Sequence, residues 1–356
     1  MHALLPDRAN LFSLRSEEKQ PKAVVSHLQG TNMSMAKPPS PAEPPVLAYL
    51  FTLRRARHPM PKVWASYFDG CEPGSFRIHI HVDPSFNATE LDEKGPAAKY
   101  FNRRNTLPRE QLAKVRRFGH ELVRARMKLL RYAAEGKAKS LPPLFFSFFS
   151  EACAPISTCK AAHALLRTAA AVTPPRSFIE DKRPMTADQR NDTPQWRAEF
   201  VKVCPGCAGV GLPAKDFRFS PGWVTLWWEH AKALLDTESK YDSVFASWGW
   251  SKLVNGIPDE TYWSTLLLHK GLPITGTLTT YMEPGDPKTG HSKTFNEQNI
   301  PMLWEQPAPA LFARKFLPTP RMDTALTARL KEATGKAGGA PKEAPKAARA
   351  IRRSLL

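Results

Sequence analysis

Three short apolar runs, each followed by polar or charged residues, most constrain what this chain can fold into. Val46–Leu53 (VLAYLFTL) follows a proline-rich stretch and suits a buried first strand. Phe76–Val82 (FRIHIHV) alternates apolar and polar residues, which suits a second strand ended by Asp83-Pro84. Leu144–Phe149 (LFFSFF) is a compact run that suits a third, buried strand. Helical patterns lie around these runs. Val63, Trp64, Tyr67 and Phe68 fall at helical spacing over Pro61–Phe68, and Gly70 is placed to stop that helix. Leu112, Val115, Phe118, Leu122, Ala125 and Leu129 mark one face of a helix predicted over Pro108–Ala134, with Pro108 in its first turn and Arg116, Arg117, Arg124 and Arg131 mostly off that face. Ser157–Ala171 predicts a further helix. Strands alternating with helices imply an α/β sheet with helices on its faces.

The rest of the chain divides by composition. Residues 1–45 are polar and end in a proline-rich stretch, which reads as a disordered leader. Phe219–Leu235 mixes a tryptophan-rich strand with a helix start. Asp259–His269 predicts a helix begun by Pro258 or Asp259. Thr173–Gly211 and most of Gly271–Pro309 read as loop. Leu311–Leu317 is the last ordered-looking piece. Residues 326–356, rich in Ala, Lys and Pro, read as a basic disordered tail, which leaves 46–325 as one catalytic domain.

Lys and Arg outnumber Asp and Glu by 51 to 33, a net charge of +18. Such a surplus points to an anionic partner: nucleic acid, an anionic surface, a nucleotide or an acidic glycan. Much of it sits in residues 103–139 and in the tail, so it need not describe an active site. The arginine-rich segment lacks the interleaved aromatics that stack on bases, so no specific nucleic acid is expected. A polyanion or an anionic surface met by this segment and the tail remains open. No stretch is long and apolar enough to span a bilayer. The asparagines of Asn32-Met33-Ser34, Asn87-Ala88-Thr89 and Asn191-Asp192-Thr193 fit the glycosylation pattern, a weak pointer to a lumenal location.

Cys71, Cys153, Cys159, Cys204 and Cys207 make an odd set, so at least one thiol stays free if the others pair. Cys204-Pro-Gly-Cys207 supplies two of the four ligands a zinc site needs, and no second CxxC exists. A loop disulfide or two free thiols fit better. His79 and His81 share one strand face, as core or cleft residues rather than a metal site.

Six segments carry the functional signal. They are Val46–Phe51 with Pro61, Trp64, Phe68 and Gly70; His81-Val82-Asp83; FSFFSEACAP at Phe146–Pro155; PDETY at Pro258–Tyr262; Leu278–Phe295, ending in HSKTF; and LFARKF at Leu311–Phe316. In this order they resemble the core-2/I-branching N-acetylglucosaminyltransferase family, in particular its plant-type branch, over about residues 46–318. The resemblance implies a GT-A-like, Rossmann-type nucleotide-sugar-binding sheet flanked by helices. It implies a UDP-sugar donor, a glycan or glycoprotein acceptor, and inversion at the anomeric carbon. Such proteins reside in the Golgi membrane behind one N-terminal anchor, and the present sequence contains no such anchor.

The residues make chemical sense beside the resemblance. An inverting transfer needs one carboxylate to take the acceptor hydroxyl's proton. The resemblance assigns that role to Glu260. Asp259 and Glu260 equally suit the first turn of a helix, where they counter its dipole. The leaving UDP gains negative charge, which cations must meet. Many GT-A enzymes use a metal held by Asp-x-Asp, a pattern this sequence lacks. The resembled family uses basic side chains instead, so no metal or other cofactor is expected. Lys315 matches the family's diphosphate-contacting lysine, and Arg314 is a second cation beside it. The family's upstream phosphate-contacting arginine has no counterpart, because Asn299–Ala310 holds no Lys or Arg; Lys288 or Lys293 would have to substitute. Asp83 follows a strand end, where it suits a hydrogen bond to uracil or ribose, or simply a turn. Glu151 and Cys153 are expected to line the donor site, though Glu151 also suits a helix cap. Trp223, Asp259 and Tyr281 are the expected sugar or acceptor contacts. Tyr281-Met282 and Gly222-Trp223 depart from the family's Asp-Trp and Gln-Trp.

Overall fold

A computed structural model describes residues 47–54, 57–86, 95–116, 119–135, 143–180, 193–247, 257–285 and 292–336. The expected leader, the three glycosylation asparagines, Lys288 and the tail beyond residue 336 lie outside the described residues. The described strands are β1 (Leu47–Leu53), β2 (Phe76–Val82), β3 (Phe145–Ser150), β4 (Ala154–Pro155), β5 (Thr225–Trp227), β6 (Thr280–Met282) and β7 (Phe312–Arg314). The described α-helices are α1 (Pro61–Asp69), α2 (Glu121–Glu135), α3 (Cys159–Ala170), α4 (Pro194–Val203), α5 (Trp228–Leu235), α6 (Glu238–Ala246), α7 (Pro258–His269), α8 (Ile300–Leu303) and α9 (Pro320–Lys336).

The main sheet runs β2-β1-β3-β5, with β1 parallel to both β2 and β3 and with β5 antiparallel. A smaller sheet runs β4-β7-β6. Side chains along β1 alternate between two cores. Tyr49 and Phe51 join Trp64, Phe149 and Phe312 on one face. Ala48 and Leu50 join Phe146, Phe148 and Trp263 on the other. Strands covered on both faces read as unbroken apolar runs, which is why β1 and β3 show no polar alternation. β2 is an edge strand, partly exposed, and it alternates as expected. This is the α/β architecture that the sequence pattern implied.

Long-range ties complete the frame. The N-terminus of α1 has no cap from its own neighbourhood. Instead Lys62 N–H and Val63 N–H donate to the Asp323 carboxylate of α9, at 3.0 and 2.8 Å. A disulfide joins Cys71, just past α1, to Cys159 at the start of α3. A second joins Cys204 and Cys207, so the CxxC is a loop disulfide. Cys153 is the free, buried thiol.

Three expectations need correction. The helix predicted over Pro108–Ala134 begins only at Glu121; Arg109–Gln111 forms one 3-10 turn, and residues 112–116 are irregular. Here Ala113 N–H donates to His81 Nε2 at 3.0 Å, which draws the chain onto the edge strand instead of into helical bonds. Gly119, a poor helix former, then separates the segments. The segment Thr173–Gly211 contains α4 rather than loop alone. Its Thr193 caps Trp196 N–H at 3.2 Å, and Pro194 occupies the first helical position, where proline starts a helix. Finally, α9 carries helix past residue 325 to Lys336, with Leu326 and Leu330 buried.

Candidate active site

Parallel pairing sets the ends of β1, β2 and β3 side by side. Leu53 faces Val82, and Thr52 faces Ser150. The residues that follow, Arg54, Asp83 and Glu151, therefore open onto one edge of the sheet, where α/β proteins bind ligands. A cleft of about 320 Å³ lies there. Arg314 and Lys315 enter it from the end of β7, which pairs with β4 just beyond β3. Phe316 N–H donates to Ala152 O at 3.0 Å and so fixes that approach. Asp259 and Glu260 enter from the first turn of α7, and Trp223 from the segment before β5.

The cleft thus brings together Asp83, Glu151, Trp223, Asp259, Glu260, Arg314 and Lys315. Glu260 is partly exposed, and its carbonyl accepts the Ser220 N–H at 2.7 Å, which steadies the start of α7. Asp83 Oδ1 accepts the Ser85 N–H at 2.9 Å, and this bond is the main reason its pKa lies below the ordinary carboxylate value. Asp83 is therefore both a turn residue and a cleft residue. Glu151 stands 3.9 Å from Arg54, whose side chain is largely exposed at the rim.

Other expected residues stand differently. Cys153 is fully buried and absent from the cleft wall; burial raises its pKa, with Arg314 opposing. The Asp259 carboxylate is engaged beneath the cleft by Arg126, at 3.4 Å, rather than held free for an acceptor. Burial raises the pKa of Asp259 and Arg126 opposes. Tyr281 lies on β6, where its ring stacks on Phe295 with centroids 6.1 Å apart, away from the cleft wall. Lys293 pairs with Glu283 at 2.9 Å and also lies off the wall.

The sequence did not single out Arg126. It projects from α2, is 0% exposed, and lies with its guanidinium 4.7 Å from the Trp223 ring centroid. The Arg314 guanidinium lies 3.8 Å from the same ring. Burial lowers the pKa of Arg314, opposed by Cys153, Asp259, Glu260 and Glu151. Gly222 allows this packing, because a Cβ there would meet the Arg126 guanidinium and stand 2.7 Å from the Asp259 carbonyl oxygen.

Among the described residues, no three of the cleft carboxylates converge closely enough to hold one ion together. The cluster that does converge, Cys71, Cys159 and His163, has its two sulfurs joined in a disulfide. His79 and His81 lie on β2 and neither lines the cleft; burial lowers both to about 4.

Comparison with known proteins fits this geometry. The family model described as core-2/I-branching enzyme matches residues 47–300. A rice protein (Oryza sativa subsp. japonica) named glycosyltransferase BC10 is 23% identical over 288 residues, which is 73% of this chain. The chain spans 64% of the length of that relative.

Proposed function

Because the chain belongs to the core-2/I-branching enzyme family, we propose that it is a glycosyltransferase that moves a sugar from a UDP-sugar to a glycan or glycoprotein, with inversion and without a metal. The observation that carries this reading is one cleft holding a partly exposed carboxylate, Glu260, together with two cations, Arg314 and Lys315.

The step balances with these groups. The acceptor oxygen bonds to the anomeric carbon while Glu260 takes the hydroxyl proton. The bond from that carbon to the diphosphate oxygen breaks, and its electron pair leaves on UDP. Arg314 and Lys315 receive the charge that gathers there. Asp83, at the end of β2, suits a hydrogen bond to uracil or ribose, and Glu151 borders the donor. Trp223 borders the cleft with the Arg314 guanidinium against its ring, so it meets the donor together with that cation. The donor sugar is N-acetylglucosamine, glucuronic acid or xylose. Metal independence is supported by the two cations at the cleft wall, Arg314 and Lys315, and by a sequence without Asp-x-Asp.

A Golgi lumenal location fits the family and the two disulfides, which persist in an oxidising compartment. No helix among the described residues is long and apolar enough to cross a membrane. A polyanion-binding face on α2 finds less support. Arg124 pairs with both Asp242 oxygens at 2.8 and 2.6 Å, Arg131 pairs with Glu238 at 2.7 Å, and Arg126 is buried.

The test is UDP release by the full chain from the three UDP-sugars, with candidate acceptors and EDTA present. Glu260→Gln is expected to fold normally and bind UDP, with kcat lowered about 10²–10⁴-fold. Equal turnover by both proteins would remove Glu260 as the base. Activity abolished by EDTA and restored by a divalent ion would remove metal independence. UDP binding without turnover on any acceptor would indicate a binding protein.

A further inference from the structure

Arg126 is more deeply buried than any purely structural use of it explains. Among the described residues, its single hydrogen bond is the long contact to Asp259 Oδ2 at 3.4 Å. Its Nε and Nη2 are buried with no hydrogen-bond partner, as are Asp259 Oδ1 and Arg314 Nε. Burying a guanidinium in this state is costly unless another charge completes the arrangement. The nearest charges are shared. Asp259 and Glu260 both draw on Arg126 and Arg314, whose guanidiniums lie against the same Trp223 ring and repel each other. Two fixed cations thus face one ring at the cleft, and the deeper of them keeps two nitrogens without a hydrogen-bond partner among the described residues.

The connections run in both directions from Arg126. Through Asp259 it reaches the first turn of α7, whose next residue is Glu260. Through the Trp223 indole it reaches Arg314 at the end of β7. Gly222 leaves no room for the stack to shift, since its backbone lies directly against both Arg126 and Asp259.

We propose that Arg126 is a positioning residue for the diphosphate of the donor: from beneath, it holds Trp223 and Asp259, fixes the Arg314 guanidinium against the indole, and adds its own charge to the field that receives the leaving group. This inference rests on the nucleotide-sugar reading above.

Titration of the full chain with UDP, beside thermal denaturation and steady-state kinetics, tests it. Arg126→Met alone strands the Asp259 charge, so the decisive protein is Arg126→Met/Asp259→Asn, which removes both charges together. It is expected to keep its Tm within a few degrees and to bind UDP at least about 10-fold more weakly. Its kcat is expected to fall about 100-fold with acceptor KM unchanged. Arg126→Lys keeps the charge but loses the planar stack, and is expected to recover part of the UDP affinity. Wild-type UDP affinity in the folded double variant would overturn the proposal and leave Arg126 a structural counter-ion. If the double variant does not fold, Arg126→Lys decides: weaker UDP binding at unchanged Tm supports the proposal, and unchanged binding overturns it. A wild-type protein that binds no UDP would overturn the donor class along with the inference, whereas wild-type binding with insensitive variants overturns the inference alone.

Discussion

Any side chain at Gly222 would be driven into the Arg126 guanidinium and onto the Asp259 backbone. The guanidinium could swing away only by leaving its contact with Trp223, and the Asp259 carbonyl belongs to a helix turn that cannot yield. Gly222→Ala is therefore expected to cost about 1–3 kcal/mol of stability in urea denaturation and to weaken UDP binding. Unchanged values for both would show that the floor of the cleft is looser than its packing indicates. At this scale the lining of the cleft was legible where a motif ends an element: Asp83 and Glu151 after strands, Glu260 at a helix start, Arg314 at the end of β7 and Lys315 just after it. It was less legible where tertiary packing decides direction. Asp259 and Glu260 are neighbours that both border the cleft, yet Asp259 is buried against Arg126 while Glu260 keeps part of its surface exposed. Arg126 did leave a signal. It lies four residues after Leu122 and three before Leu129, inside the apolar stripe of its helix, but a tally of basic residues along the segment hides it.

Elements in this fold borrow their ends from one another. The Asp323 carboxylate supplies two hydrogen bonds to the bare N-terminus of α1, and it is almost fully buried. Asp323→Ala is expected to destabilise the protein by about 2 kcal/mol, at the upper end for a lost cap, because no water replaces the acceptor. Asp323→Asn, which retains one oxygen, is expected to lose less. Equal stability of all three proteins in urea would show that α1 needs no cap. Such a partner cannot be read from local sequence, since Met60 precedes the helix and offers no oxygen in its side chain. Local rules also fail in instructive ways. The apolar stripe before Glu121 resembles a helix, but at Ala113 the backbone N–H goes to His81 of the edge strand instead of to a helical carbonyl. Pro194 looks like a helix breaker and is a helix starter, because Thr193 caps the turn it begins.

For the whole molecule, the two cores on either side of the sheet enclose a set of neutral histidines. Burial lowers His58 to about 3 and His79, His81, His163 and His230 to about 4, against an ordinary 6.5. Between those values the unfolded chain takes up protons that the folded chain refuses. Stability is therefore complete above about pH 6.5 and is lost as pH falls toward about 4. The expected result is a Tm that is flat near neutrality and declines steeply on acidification; a Tm constant down to pH 4.5 would contradict it. The parallel sheet itself was the most legible part of the chain, because strands buried on both faces leave unbroken apolar runs. The bracing of α1 by α9 was not, because that helix starts at Pro320 and continues into residues whose composition resembles a tail.

The distance between Asp323 and the helix it caps also bears on how the protein is made. During synthesis α1 emerges early, and its capping carboxylate follows 260 residues later. Until then the first helix has an open end, and the first strand waits with an unfinished neighbour. A stop codon just before residue 323 would remove no residue of the cleft wall, yet the defect would appear at the beginning of the chain.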